Sequence, residues 1–194
     1  MKLVGITGGI ASGKSTVSSY LEDKYKAYVF DADKEAKALL QSTFVKDKIH
    51  KAFPNLKDLS TVSIAQEVFT NIESQKKINN IIHPIISDLI LERIKEKKNL
   101  HNIFIIDAAL IIESGIFKVH QKIGAKLILV IADKELRFKR ALHRGNLSKE
   151  TIQDRMRLQI KDDQKIKYAN YIVENNSTKF ELFSKIDQII EKII

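Results

Sequence analysis

Residues 8–15 have the spacing G-x-x-x-x-G-K-[ST], which is typical of a loop that wraps around the phosphates of a nucleoside triphosphate. Glycines let such a loop turn back and bring its amides close to phosphate oxygens, and the helix that follows offers further N–H groups at its positive end. Lys14 would reach the β- and γ-phosphates, and the hydroxyl of Ser15 suits Mg²⁺. The alternative is an ordinary glycine-rich turn. The nucleotide-binding residues predicted here are Gly9, Ala11, Ser12, Gly13, Lys14, Ser15 and Thr16.

Three carboxylates follow predicted buried strands. Asp31 and Asp33 come directly after residues 27–30, and Asp107 follows residues 103–106. If the chain stays extended after residue 30, the side chains of Asp31 and Asp33 point to one side. One of them could accept the proton of an acceptor hydroxyl during phosphoryl transfer, with Asp33 favoured, while the other caps a helix or lies near the metal. Asp107 either holds Mg²⁺ through water or caps a turn.

Arginine is concentrated in one part of the chain, since five of the six arginines lie between residues 137 and 157. Arg137, Arg140 and Arg144 follow the spacing i, i+3, i+7 and therefore share one helix face. Guanidinium groups bind phosphate in bidentate fashion, so the cluster predicts a basic lid over the nucleotide, although a basic surface helix would show the same spacing. Residues 134–167 hold eleven basic and five acidic residues, a net +6 of the chain's +9. The lysines are scattered and are interpreted as solvated surface residues.

Two further polar positions carry weaker signals. His83 precedes Pro84 in a helical segment, where a histidine is more often structural than in contact with a substrate. Asn175 follows the last predicted strand, and its backbone either reads an adenine edge or forms a simple turn.

Short apolar runs alternate along the chain with amphipathic segments, which predicts an α/β fold with a central parallel sheet covered on both faces. Ligands of such sheets bind at the carboxyl ends of the strands, where the loop and the carboxylates lie. Pro84 is expected to kink or divide the long helix that contains it. The predicted strands are 3–6, 27–30, 103–106, 126–132 and 171–173. The predicted helices are 14–24, 34–40, 135–144, 149–160 and 180–193, and residues 44–100 are predicted to be mostly helical, with one long helix at about 73–98.

Composition excludes several classes of protein. The chain of 194 residues has no cysteine, which excludes a disulfide framework and a cysteine-ligated metal site. Its hydrophobic content of 44% is too high for a disordered chain, and its apolar runs are too short to span a bilayer. No signal peptide is evident, so we expect a cytoplasmic protein. The positive charge leaves a nucleic-acid-binding ATPase as an alternative, but no nucleic-acid-binding signature supports it.

Taken in order, these motifs resemble the dephospho-CoA kinase family over nearly the whole chain. Residues 4–17 are similar to the family's G-L-T-G-G-I-x-S-G-K-S-T-V, and residues 31–33 match its D-A-D. The weaker matches are residues 81–84 with I-H-P, residues 107–113 with D-x-P-L-L-F-E, Arg140 and Arg144 with the lid arginines, Arg155 and Gln159 with R-x-x-x-Q, and residues 169–175 with A-D-Y-V-I-x-N.

The resemblance implies a P-loop NTPase three-layer fold with a core of residues 1–33, 101–133 and 169–194, a helical substrate-binding insertion at about 34–100 and a helical lid at about 134–168. It implies transfer of the γ-phosphoryl group of ATP to the ribose 3′-hydroxyl of dephospho-CoA, the final step of coenzyme A biosynthesis, with Mg²⁺ as cofactor. Another small-molecule kinase, of nucleoside or shikimate type, is the alternative. No nucleic acid or membrane partner is expected, and a monomer is favoured.

The same resemblance assigns roles to individual residues. Asp33 would be the general base, Lys14 and Arg140 would also be catalytic, and Ser15 would hold the metal. ATP would be contacted by the loop together with Arg140, Arg144 and Asn175. The substrate side would be formed by Asp31, Asp33, His83 and Asp107.

Four positions depart from the family pattern. Ala109 stands where the family usually has proline, Gly145 where it has aspartate after the second lid arginine, and Asn170 where it has aspartate. The stretch from Ala65 to Glu67 lacks the arginine that the family often has shortly before V-F, so one arginine contact in the substrate segment is not expected here. We expect a looser turn at Ala109 and no effect on the phosphoryl-transfer core.

Overall fold

A computed structural model of the chain describes residues 1–56, 58–113 and 116–194. Its strands form one parallel sheet in the order β2-β3-β1-β4-β5. The α/β architecture and the positions of the five predicted strands are confirmed. The strands are β1 (Lys2–Gly8), β2 (Tyr28–Asp31), β3 (Ile103–Asp107), β4 (Lys126–Ile131) and β5 (Tyr171–Glu174).

Helices cover both faces of this sheet. They are α1 (Lys14–Tyr25), α2 (Ala32–Leu39), α3 (Thr43–Ala52), α4 (Thr61–Thr70), α5 (Ile72–Lys97), α6 (Ile116–Lys122), α7 (Lys134–His143), α8 (Lys149–Leu158), α9 (Asp162–Ile166) and α10 (Lys179–Ile193). The alternation of apolar runs did not predict α6 or α9, which are seven and five residues long. Within the described ranges, no helix combines the length and the hydropathy of a membrane span.

Pro84 does not divide α5, so that alternative of the prediction is wrong, whereas a kink at Pro84 stays a prediction. Proline removes one backbone hydrogen bond from a helix and crowds the preceding turn. Ile78, Ile82, Ile86 and Ile90 recur every four residues and are all buried. Packing of this stripe against the core offsets the local cost of the proline.

Two apolar layers lie on opposite sides of the sheet. On one side, Val4 and Ile6 of β1 pack with residues of α1 and α10. On the other side, Phe104 and Ile106 of β3 pack with α3, α5 and α6. Because the central strands are buried on both faces, their sequences are continuous apolar runs.

Parallel pairing brings the carboxyl ends of the central strands together. Asp107 is in register with Ile6 of β1 and with Asp31 of β2. The loop that leaves β1 therefore starts beside two carboxylates. Helices α2–α5 lie between β2 and β3, and α7–α9 lie between β4 and β5. The two helical segments match the insertion and the lid in position, and their roles stay predictions.

Candidate active site

The loop between β1 and α1 has the backbone conformation that a phosphate-binding loop needs. Gly13 has a φ of 108°, which L side chains rarely adopt, and Ala11 has a φ of 58°. The side-chain amide of Asn175 donates a buried hydrogen bond to the carbonyl of Ser12 at 2.8 Å. A Cβ on Gly13 would overlap this amide nitrogen. Glycine is therefore required at position 13 both for its conformation and for its lack of a side chain.

The amino end of α1 is open to an anion. Among the described residues, no side chain caps this end and no acidic residue lies in its first turn. The N–H groups of the first turn have no partner within the helix, and the helix dipole is positive there. Ser15 and Thr16 lie in this turn, so the structure gives the loop the electrostatics of a phosphate site.

Lys14 lies between two carboxylates. Its ammonium forms an ion pair with Asp107 and lies 3.6 Å from Asp33 Oδ2. Asp107 is buried, and its other oxygen accepts a hydrogen bond from the hydroxyl of Ser18 at 2.7 Å. Burial alone would lower the pKa of Lys14, but the charges of Asp107 and Asp33 more than offset it and raise that pKa above 10.5. Lys14 is therefore firmly cationic.

The two aspartates after β2 have different roles in the structure. Asp31 accepts a hydrogen bond from the backbone N–H of Lys34 at 2.9 Å and caps α2. Because α2 begins at Ala32, the chain is not extended across this pair, and the condition for both side chains to point to one side is not met. Helix capping satisfies backbone donors that an extended chain would leave open.

Asp33, in the first turn of α2, remains accessible. Its side chain is 52% exposed and accepts a hydrogen bond from the N–H of Ala109 at 3.2 Å. Desolvation by the surrounding site raises the pKa of Asp33 above 3.8, although Lys14 and the Ala109 N–H act in the opposite direction. Both aspartates are exposed, but among the described residues only Asp33 of the two forms an ion pair with Lys14.

The arginines of α7 differ in their contacts. Arg140 donates to the carbonyl of Asn175 at 2.9 Å. Arg144 is the capping residue directly after α7 and is exposed. Arg137, which the spacing put on the same basic face as Arg140 and Arg144, pairs with Asp162 at 3.3 Å, and its guanidinium lies against Gly9. The lid segment thus already contacts the phosphate loop through Arg137.

A second contact between these segments escaped prediction. Gln159, which follows α8, accepts a hydrogen bond from the backbone N–H of Ile10 at 2.9 Å. The only sequence signal for it was the R-x-x-x-Q match, because a lone glutamine after a helix has no chemistry of its own.

The substrate contact expected of His83 and the nucleotide contact expected of Asn175 stay predictions. His83 lies half-buried on α5, and desolvation lowers its pKa from 6.5 to about 4, so it is neutral at pH 7. The backbone N–H of Asn175 donates to the carbonyl of Ile131 at 2.8 Å, while its carbonyl accepts from Arg140. In this arrangement Asn175 supports the phosphate loop through its side chain.

Three of the four departures from the family pattern fit the fold, and the one at Ala65 lies outside the side chains that the structure describes. The N–H of Ala109, which a proline would lack, binds Asp33. Asn170 Oδ1 accepts from the N–H of Leu127 at 2.8 Å, a contact that an aspartate could also make. Gly145 has a φ of 71° with open space around it, which suits the residue after a helix end.

Comparison with known proteins gives a family. The family model of dephospho-CoA kinase matches residues 2–181. The dephospho-CoA kinase of Fusobacterium nucleatum is 37% identical over 197 residues, which cover 98% of each chain. The dephospho-CoA kinase of Saccharomyces cerevisiae is 31% identical and covers 100% of this chain and 83% of its own.

Solved structures agree with this assignment. A protein from Thermus thermophilus superposes with a TM-score of 0.79 at 26% identity, covering 100% of this chain and 98% of that one. The dephospho-CoA kinase from Campylobacter jejuni superposes with a TM-score of 0.67 at 27% identity, covering 100% of this chain and 98% of that one. A shikimate kinase from Acinetobacter baumannii shares the fold. It superposes with a TM-score of 0.63 at 16% identity, covering 99% of this chain and 94% of its own. With a family match over most of its length, the chain belongs to the dephospho-CoA kinase family.

Proposed function

We propose that the residues at the carboxyl ends of β1, β2 and β3 bind ATP and dephospho-CoA and transfer the γ-phosphoryl group to the ribose 3′-hydroxyl. As a family member, the chain is an ATP-using kinase with an alcohol acceptor. The observation that carries the site assignment is the position of Lys14, which bridges the phosphate loop to Asp33 and Asp107. This arrangement supports a donor site next to an accessible carboxylate.

On the donor side, the loop from Gly9 to Thr16 would hold the triphosphate through backbone N–H groups and the amino end of α1. Lys14 would neutralise charge that develops on the transferred group. Asn175 supports this role indirectly, because its amide fixes the Ser12 carbonyl and so keeps the loop in shape. Most of the rate acceleration would come from positioning and charge stabilisation.

On the acceptor side, Asp33 would take the proton of the 3′-hydroxyl. A carboxylate with a raised pKa is a stronger base than an ordinary aspartate, which suits proton abstraction near neutral pH. Asp107 is held by Lys14 and Ser18 and is buried, so it would orient Lys14 rather than accept the proton. Asp31 and His83 would flank the acceptor, as the resemblance implies.

The donor set at this site suits Mg²⁺, which binds hard oxygen ligands and commonly takes only one or two from protein, with the rest from phosphate and water. The hydroxyl of Ser15, at the start of α1, would hold the ion. Among the described residues there is no cluster of three or more histidine, aspartate or glutamate side chains that could hold a metal ion. Bound Mg²⁺ would neutralise phosphate charge.

The two helical segments would complete the site. Residues 34–100 would form the wall that receives dephospho-CoA. Residues 134–168 would act as the lid, with Arg140 and Arg144 moving onto the phosphates when ATP is bound. A closed lid would exclude water and so limit hydrolysis of ATP.

An acceptor panel tests this function. ADP release would be measured with ATP and Mg²⁺ and, in separate reactions, dephospho-CoA, shikimate and a set of nucleosides. Of these acceptors, only dephospho-CoA is expected to give rapid release of ADP. Coenzyme A, in which the 3′-position already carries phosphate, is the matched control and should give only the background rate. Faster turnover of shikimate or a nucleoside would contradict the proposal.

A further inference from the structure

A buried ion pair connects the end of the lid to the loop after β3. Lys165 of α9 is fully buried, and its ammonium lies 2.8 Å from Glu113 Oε1. The same oxygen accepts a hydrogen bond from the backbone N–H of Ile160 at 3.2 Å. Glu113 is itself only 12% exposed. One carboxylate thus holds two points of the segment that runs from the end of α8 through α9.

This pair is a poor device for stability alone. Taking two charges out of water costs much of what their attraction returns, and an apolar pair of similar volume is often equally stable. Glu113 Oε2 is also buried, with no hydrogen-bond partner among the described residues. A fully buried lysine is therefore better explained by what it positions than by what it adds to the core.

Both ends of the ion pair lead to the proposed active site. At the lid end, Gln159 binds the N–H of Ile10. Asp162 binds Arg137, which lies against Gly9. The segment that contains Lys165 is therefore tied to the phosphate loop at two places.

At the other end, the loop after β3 reaches the acceptor carboxylate. Glu113 lies four residues beyond Ala109, whose N–H donates to Asp33. The carbonyl of Ala109 accepts from the hydroxyl of Thr7, which fixes the loop against β1. The ion pair thus closes a path of contacts from the phosphate loop through the lid to Asp33.

We propose that Glu113 and Lys165 are positioning residues for phosphoryl transfer, and that their ion pair holds the end of the lid against the loop that orients Asp33. This inference rests on the proposed roles of Asp33 and of the lid. Without the pair, the acceptor carboxylate and the phosphate loop lose their fixed separation, and water gains access to the nucleotide. In the resulting side reaction, water attacks the γ-phosphorus, the bond to the β–γ bridging oxygen breaks, and ADP, inorganic phosphate and a proton are released.

The test removes both charges together, so that neither is left buried alone. The double variant Glu113→Gln with Lys165→Met keeps the volume of the pair and an acceptor for Ile160. We expect it to remain folded, with kcat lowered about 10- to 100-fold, because small misplacements of reacting groups cost that much. The KM for ATP should change less than about threefold, since the phosphate loop is intact. Lys161→Met, the same change at an exposed lysine of the same segment, should match the wild type.

The decisive readout is the ratio of ADP released to phosphorylated dephospho-CoA formed. Positioning by the pair predicts a ratio near one in the wild type and a clear excess of ADP in the double variant. A folded double variant with wild-type kcat and wild-type ratio would overturn the proposal.

If the double variant does not fold, Glu113→Asp keeps the charge but shortens the side chain, so that the carboxylate no longer serves both Lys165 and Ile160. The same loss of kcat and rise in the ratio, of smaller size, are expected, and wild-type behaviour would again overturn the inference. Failure of the proposed function itself would look different, because the wild type would then release no ADP in response to dephospho-CoA.

Discussion

Replacing Gly13 with alanine perturbs the phosphate loop in a way whose cost can be worked from the structure. The φ of 108° at this position costs an L residue roughly 1–2 kcal/mol. The new Cβ would also displace the Asn175 amide from the Ser12 carbonyl, and a buried group left without its partner costs about 1–3 kcal/mol. The free energy of unfolding should therefore fall by about 2–5 kcal/mol, which lowers the Tm by roughly 4–20 °C in a protein of this size.

Gly124→Ala supplies the matched control. Gly124 has a φ of 70°, but an added Cβ would have nothing within 4 Å, so only backbone strain is introduced. Thermal unfolding, followed by calorimetry, should show a loss of about 1 kcal/mol for Gly124→Ala, clearly smaller than the loss for Gly13→Ala. Calorimetric titration with ATP should show weakened binding for Gly13→Ala alone. Equal destabilisation by the two variants would refute the role assigned to the contact between Gly13 and Asn175.

Three further predictions concern the buried groups around the site. His120 is buried, and desolvation lowers its pKa from 6.5 to about 4, so the unfolded chain binds a proton that the folded chain does not. As pH drops from about 6.5 to 4, His120 should reduce stability by as much as ~3 kcal/mol. Because the pKa of His83 is lowered similarly, His120→Leu should remove about half of the fall in a Tm–pH curve, and an unchanged curve would contradict this prediction. Ser18→Ala leaves one oxygen of Asp107 without its donor and should cost about 1–3 kcal/mol by chemical denaturation, whereas an unchanged midpoint would show that the bond is not needed. Arg140→Lys retains the charge but loses the guanidinium group that binds phosphate in bidentate fashion. Steady-state kinetics should show a lower kcat, and thermal unfolding should show little change in Tm. A kcat equal to that of the wild type would remove Arg140 from the catalytic set.

The sequence predicted those parts of the fold that depend on local pattern. Continuous apolar strands and the G-x-x-x-x-G-K-[ST] spacing place the phosphate loop at the carboxyl edge of a parallel sheet, and the structure has them there. The roles of Asp31 and Asp33 were harder to predict, because an aspartate can serve either as a helix cap or as a general base. Only the start of α2 at Ala32 decides that Asp31 is the cap.

Contacts between segments that are distant in the sequence could not be predicted from residue spacing. Lysines scattered along the chain were interpreted as surface residues, yet Lys165 is fully buried because the fold brings Glu113 to it from 52 positions away. That interpretation was wrong for Lys165. The division of α5 at Pro84 was also wrong, since the packing of four buried isoleucines outweighs a local rule.

The central claim, that Asp33 takes the proton while the phosphate loop holds ATP, is tested most directly by a single-turnover measurement on Asp33→Asn. Saturating enzyme would be mixed with ATP, Mg²⁺ and dephospho-CoA, and the rate of product formation would be compared with the wild type alongside the Kd for ATP. Loss of a general base predicts a rate lowered about 10²- to 10⁴-fold. The Kd for ATP should change less than about threefold, because Asp33 lies on the acceptor side of Lys14. A rate for Asp33→Asn within about threefold of the wild type would contradict the claim.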